Sequence, residues 1–107
     1  MRILHVNTTS QRAGGAEGVM YDLQDWQREH GHQVGLFAGH TEEAEDSAER
    51  RVVVRPEWEA TRLISDPELE VACGEFLGSF APDVVHLHNL SSFPVRIVDV
   101  LARYRKG

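Results

Sequence analysis

Apolar residues fall at two different spacings along this chain, and the switches between them outline its elements. Residues 2–7, RILHVN, read as a short strand. A polar loop over 8–15 follows. From Ala16 the apolar positions Ala16, Val19, Met20, Leu23 and Trp26 recur at helical spacing. That helix is expected to end near His30, with Gly31 as a left-handed cap. Residues 33–38, QVGLFA, predict a second strand, and 40–50, HTEEAEDSAER, a solvated acidic loop without a site. Val52, Val53 and Val54 predict a short third strand. Residues 56–65 carry no signal beyond a short helical turn.

Asp66-Pro67-Glu68 marks a helix start, with Asp as cap, Pro at the first position and an acid in the first turn. Leu69, Ala72, Cys73, Phe76, Leu77 and Phe80 then share one face. Gly74 and Gly78 interrupt this helix, each at about 1 kcal/mol relative to Ala, and are expected to let it sit close to a neighbour. Pro82-Asp83 stops the pattern, with Asp83 as a turn residue. Residues 84–88, VVHLH, predict a fourth strand and 89–93 a loop. Pro94 opens a last helix, with Ile97, Val98, Leu101 and Ala102 on one side, ending at Gly107.

The order is β-α-β-β-α-β-α, without repeats or low-complexity tracts. Strands alternating with helices predict an α/β domain with a mostly parallel sheet and helices on both faces. Right-handed crossovers make a doubly wound sheet with strand order 3-2-1-4 the expected topology.

At 107 residues the chain is one domain. Its 11 basic and 17 acidic residues give a net charge of −6. That balance argues against general nucleic-acid binding, which rests on Lys and Arg neutralising phosphates. Arg50, Arg51 and Arg55 cluster locally, and Arg103, Arg105 and Lys106 suit the end of the last helix. The single cysteine, Cys73, excludes an internal disulfide and falls on the apolar stripe, so it reads as a buried, inert thiol. No apolar run approaches membrane-spanning length. The N-terminus enters a strand directly, without a signal-peptide layout, so a cytoplasmic location is expected.

In a sheet of this kind ligands bind beyond the carboxyl ends of the strands, where the strand order reverses. That point lies between the first and fourth strands. The first strand brings Asn7, Thr8 and Thr9 there, and the fourth brings His88 and Asn89. The helix opening at Gly15 or Ala16 points its free N–H groups toward the same crevice. Gly14-Gly15 either admits a phosphate to those N–H groups or makes a tight turn needing positive φ. The nicotinamide fingerprint is absent: the loop is longer and reads GGAEG, and the second strand ends in Ala38, Gly39 and His40 rather than an acid. Glu17, in the first turn, suits the helix dipole, and a ligand contact there is not decided by position.

His86 and His88 lie two apart on one strand and share a face. They offer two metal ligands, but no further ligand stands at a recognisable spacing, so neither a metal nor another cofactor is expected. In the alternative arrangement His86 packs beneath the sheet end while His88 and Asn89 face the crevice. His5 reads as a satisfied core histidine. No nucleophile-and-base pair is visible, so no catalytic residue is assigned.

Four stretches in order, MRILHVNT, GGAEGVMYDL, REHGHQVGLF and PDVVHLHN, resemble the N-terminal half of GT-B glycosyltransferases of the family-4 type. The match runs along nearly the whole chain apart from residues 40–81. The resemblance implies an incomplete, Rossmann-like N-terminal half of a GT-B fold. It further implies retaining transfer of a sugar from a nucleotide-sugar donor to a glycan, lipid or small-molecule acceptor. It places the donor diphosphate at Gly14 and Gly15, and the acceptor at Asn7, Thr8, Glu17, His88 and Asn89. It is compatible with peripheral membrane association of the full-length enzyme. The family commonly carries a basic residue after the Glu, where this sequence has Gly18. The donor-binding half, with its Glu-x7-Glu-type motif, is not in these 107 residues, so the chain is expected to be a fragment, or a truncated product, with little activity alone. Two rival readings stand beside this: a standalone nucleotide- or phosphate-binding module acting with a partner chain, and a metal-binding domain using His86 and His88.

Overall fold

The computed structural model describes residues 1–12, 14–55 and 63–105. Strand β1 (Arg2–Asn7) is followed by helix α1 (Gly15–Glu29), β2 (Gln33–His40), β3 (Glu45–Asp46), β4 (Arg50–Val54), α2 (Pro67–Phe80), β5 (Val84–Leu87) and α3 (Ile97–Arg103). The sheet order is β3-β4-β2-β1-β5. The expected order 3-2-1-4 therefore appears as β4-β2-β1-β5, all parallel, with β3 added antiparallel at one edge.

That added strand corrects the reading of 40–50 as a plain loop. Beta-strand β2 runs on to His40, and the acidic stretch then turns back to pair with β4. The charges hold the turn: Glu45 accepts from the Arg50 guanidinium, Asp46 lies 3.9 Å from that of Arg51, and the Ser47 N–H donates to the Arg50 carbonyl at 2.8 Å. Opposite charges across a strand pair favour this register. Two exposed acidic residues at the rim also discourage edge-to-edge pairing.

Helix α2 forms as its sequence dictates. The Asp66 carboxylate accepts from the Leu69 N–H at 3.4 Å, Pro67 opens the first turn, and all six residues of the expected face are buried. With Leu4, Val6, Phe37, Phe93 and Ile97 they form the main core, on one face of the sheet. Burial pushes the Cys73 thiol up to about 12, which fits an inert packing role.

The two helix glycines do not behave alike. A methyl group at Gly74 would just touch Val100 of α3 at 4.0 Å, whereas at Gly78 it would meet nothing. Close approach therefore does not explain Gly78. Gly78→Ala is expected to stabilise the protein by about 0.4–1 kcal/mol, seen as a higher urea midpoint; a lower midpoint would mean that the position has a role the fold does not reveal.

Helix α3 is shorter than expected. Pro94 starts a turn rather than the helix, which runs from Ile97 to Arg103, and Tyr104 is extended. Its inward side is Ile97, Val100, Leu101 and Tyr104, with Val98 and Ala102 facing out. The Tyr104 hydroxyl donates to the Pro82 carbonyl at 3.0 Å, which ties the chain end to the start of β5. The expected helical turn over 56–65 falls mostly outside the described residues, as does the predicted end of α3 at Gly107.

Helix α1 covers the opposite face, over the smaller cluster of Met20, Tyr21, Leu36 and Ala38. Its register differs from the apolar pattern. Val19 (68% exposed) and Trp26 (54% exposed) face outward, while Gln24 and Gln27 are buried. Gly31, with φ of 86°, closes the helix as expected. Among the described residues no helix is long and apolar enough to cross a membrane.

Candidate functional site

The carboxyl ends of β1 and β5 are laced together by their following loops. The Thr8 N–H donates to the Asn89 carbonyl at 2.6 Å, and the Asn89 N–H donates to the Asn7 side-chain oxygen at 3.0 Å. The Asn7 amide donates in turn to the Thr9 carbonyl at 2.8 Å. Both polar ends of Asn7, itself buried, are thus spent on joining the two loops. The hydroxyls of Thr8 and Ser92 also meet. Asn89 is exposed, its side-chain oxygen accepting from the Ser91 N–H at 2.9 Å.

Gly39 closes β2 against the same loop. A Cβ there would stand 2.9 Å from the Thr8 carbonyl oxygen, so only glycine admits this approach. The Ser10 N–H donates to the Gly39 carbonyl at 2.9 Å, and the Tyr21 hydroxyl reaches from α1 to the Ser10 carbonyl at 2.5 Å. The first part of the loop after β1, from Thr8 to Ser10, is therefore held by β2 and α1.

At the start of α1 the backbone is ordinary and open. Gly14 is extended, with φ of −169°, so no positive φ demands a glycine. A Cβ at Gly15 would meet nothing within 4 Å. Among the described residues no side chain caps the helix. The Glu17 carboxylate folds back, 3.3 Å from where a Cβ on Gly14 would sit, at the position where the helix dipole favours negative charge. Among the described residues no hydrogen bond links Gly14, Gly15 or Glu17 to the Asn7–Asn89 pair; the two groups share the crevice end of the sheet.

The histidines are arranged otherwise than expected. His5 and His86 are register partners on β1 and β5, and His88 lies two residues on, so all three face α1. His5 is fully buried and satisfied: Nε2 bonds the Gln27 side-chain oxygen and Nδ1 bonds His88 Nε2, each at 2.7 Å. His86 does not pack beneath the sheet end; its side chain is exposed and stacks on His88 with ring centres 4.1 Å apart. Burial, with His86 nearby, lowers the His88 pKa to about 4. Burial also lowers that of His5; the Gln27 hydrogen bond opposes it, and His86 and Arg28 add to it.

Both rings are thus held neutral in the fold, while in the unfolded chain they take up protons near the ordinary value of 6.5. The unfolded state binds more protons below that value, so stability is full above pH 6.5 and falls as pH drops toward about 4. His88→Gln is expected to flatten this slope in urea titrations repeated across that range. An unchanged slope would remove His88 as its source.

Sequence reasoning missed Arg55, Tyr21, Ser92 and Gln27. Arg55 follows β4, bonds the Ser92 carbonyl and pairs with Asp66 at 3.3 Å. The sequence marked it only as one of a local basic cluster at the end of a valine strand. Gln24 and Gln27 do keep helical spacing with Met20, but their polarity hid the buried face. Two apolar cavities lie apart from the predicted residues: one of about 660 Å³ between β4 and α2, and one of about 400 Å³ under the loop before α3.

A protein-family model described as Glycosyltransferase Family 4 matches residues 13–106. No curated protein matches the chain.

Proposed function

This chain belongs to glycosyltransferase family 4, and on that premise we propose that it forms the acceptor-side wall of a sugar-transfer site. In this reading a nucleotide-sugar donor places its diphosphate against the N-terminus of α1. A glycan, lipid or small-molecule acceptor lies toward Thr8, Glu17, His88 and Asn89, with Asn7 shaping that surface. Transfer then proceeds with retention at the anomeric carbon, in a cleft whose other wall binds the nucleotide.

The observation that carries this reading is the start of α1. Among the described residues neither backbone conformation nor packing requires Gly14 and Gly15, since a Cβ at Gly14 would meet only the movable Glu17 carboxylate, and no side chain caps the N–H groups behind them. A side chain at Gly15 would occupy the space through which an anion reaches those donors. The Glu17 carboxylate now leans over this place, so a diphosphate displaces it. The lacing of Asn7, Thr8, Asn89 and Ser92 supports the reading in a second way, since a prearranged surface orients an acceptor at small entropic cost.

The test joins the chain to the donor-binding half of a family-4 transferase and follows the anomeric proton of freshly formed product. Retained configuration is expected with the fusion, and the chain alone is expected to stay far below the ordinary enzymatic turnover of about 1 per second. Inverted product, or ordinary turnover by the chain alone, overturns the reading.

A further inference from the structure

The histidine cluster is not used by the sugar-transfer reading, apart from the exposed side of His88. One nitrogen from each of His5, His86 and His88 lies within 4.8 Å of the others. The ring centres form a nearly even triangle, with sides of 5.2, 5.0 and 4.1 Å. Parallel register fixes this set: His5 and His86 face each other across β1 and β5, and His88 follows on the same face. The cluster runs from a buried ring at His5 to an exposed one at His86, so it has a closed inner end and an entry from solvent.

We propose that His5, His86 and His88 bind one divalent transition-metal ion of the zinc class at the edge of the sheet, with solvent in the fourth position. Three imidazoles and an open site form a ligand set suited to such ions, and imidazole suits zinc, copper, iron and nickel rather than magnesium or calcium.

The surroundings favour lone pairs over protons. Gln27 accepts through its side-chain oxygen from His5 Nε2, which leaves Nδ1 as the lone-pair nitrogen facing His88. An outer hydrogen bond of this kind fixes the tautomer and orientation of a ligating histidine. The exposed His86 ring stacks on His5 and His88 and makes no side-chain hydrogen bond among the described residues, so rotating a nitrogen toward the other two breaks none. Arg28, whose charge acts on His5, lies 3.5 Å from Asp25, which offsets part of that charge.

Binding asks little of the frame. His5 Nδ1 and His88 Nε2 stand 2.7 Å apart, and tetrahedral zinc with bonds of about 2.0–2.1 Å sets ligand nitrogens about 3.3 Å apart. Without the ion, His88 Nε2–H donates to His5 Nδ1. On binding, that hydrogen moves to His88 Nδ1 and the Nε2 lone pair turns to the metal, so neutral rings release no net proton.

The experiment titrates zinc chloride into the tag-free chain by calorimetry at neutral pH, after chelator treatment and dialysis. One zinc per chain is expected. His86→Ala, an exposed position that should fold normally by circular dichroism, is expected to weaken binding by more than a hundredfold, and Gln27→Leu by about 10–100-fold. The surface variant His30→Ala with His40→Ala is expected to bind as the parent does. Absence of stoichiometric binding, or binding unaffected by His86→Ala, overturns the proposal.

Discussion

Arg55→Met is expected to remove about 3–5 kcal/mol of stability, the cost of breaking a buried ion pair from one side. Arg55 and Asp66 are the least exposed ion pair among the described residues, at 12% and 10% side-chain exposure. The arginine also bonds the Ser92 carbonyl and lies over the Phe93 ring, 5.6 Å from its centre. Asp66 meanwhile caps α2. Methionine replaces the stem but leaves the Asp66 carboxylate, 10% exposed, without its countercharge. Urea unfolding of the single variant and of a double variant with Asp66→Asn would give the coupling between the two. A loss below about 1 kcal/mol, the level of a surface pair, would show that the guanidinium is not holding β4, α2 and the Ser92 loop together.

Phe37→Ala is expected to cost about 3–5 kcal/mol. Phe37 is fully buried at the centre of the main core, with ring centres 6.4 Å from Phe76 and 6.1 Å from Phe93. It therefore joins β2 to α2 and to the loop that carries Asn89 and Ser92. For a domain whose total stability is about 5–15 kcal/mol, the loss takes much of the reserve. Phe37→Leu, nearer in volume, should cost markedly less. Equal unfolding midpoints for the two variants would mean that the ring has no special place in the core.

Much of this architecture was legible in the sequence because one physical signal dominated each element. Strand β1, the α2 cap and all six buried positions of α2 follow from apolar spacing and from Asp66-Pro67. The strand order follows from parallel crossovers, and the family match agrees with the resemblance carried by the motifs. What escaped depended on polar groups, some buried and some at the rim. Hydrophobicity alone turned α1 toward Val19 and Trp26, whereas the fold turns it toward Gln24 and Gln27. The reason is local: Gln27 satisfies His5, and a buried imidazole without a partner would be costly. The short pairing of β3 escaped because it rests on charges matched across a turn, Glu45 with Arg50 and Asp46 with Arg51.

The candidate site was legible in position more than in detail. Topology alone placed Asn7, Thr8 and Asn89 beside one another at the carboxyl ends of β1 and β5, where hydrogen bonds join them, whereas the His88 side chain turns to His5. The partners that fix them, Ser92, Tyr21 and Arg55, come from distant segments with no motif of their own. His5 was read as a core histidine, which it is; its role as the inner member of a three-histidine cluster depends on β1–β5 register.

The account rests on the open start of α1, and amide-resolved NMR of the chain titrated with pyrophosphate and with a nucleoside diphosphate tests it most directly. The amides of Gly14, Gly15, Ala16 and Glu17 are expected to shift together, with weak affinity of about 1 mM, near −4 kcal/mol, as befits one wall of a cleft, and Gly15→Val is expected to abolish the shifts. Unmoved amides at the start of α1, or shifts centred on another part of the surface, would contradict it.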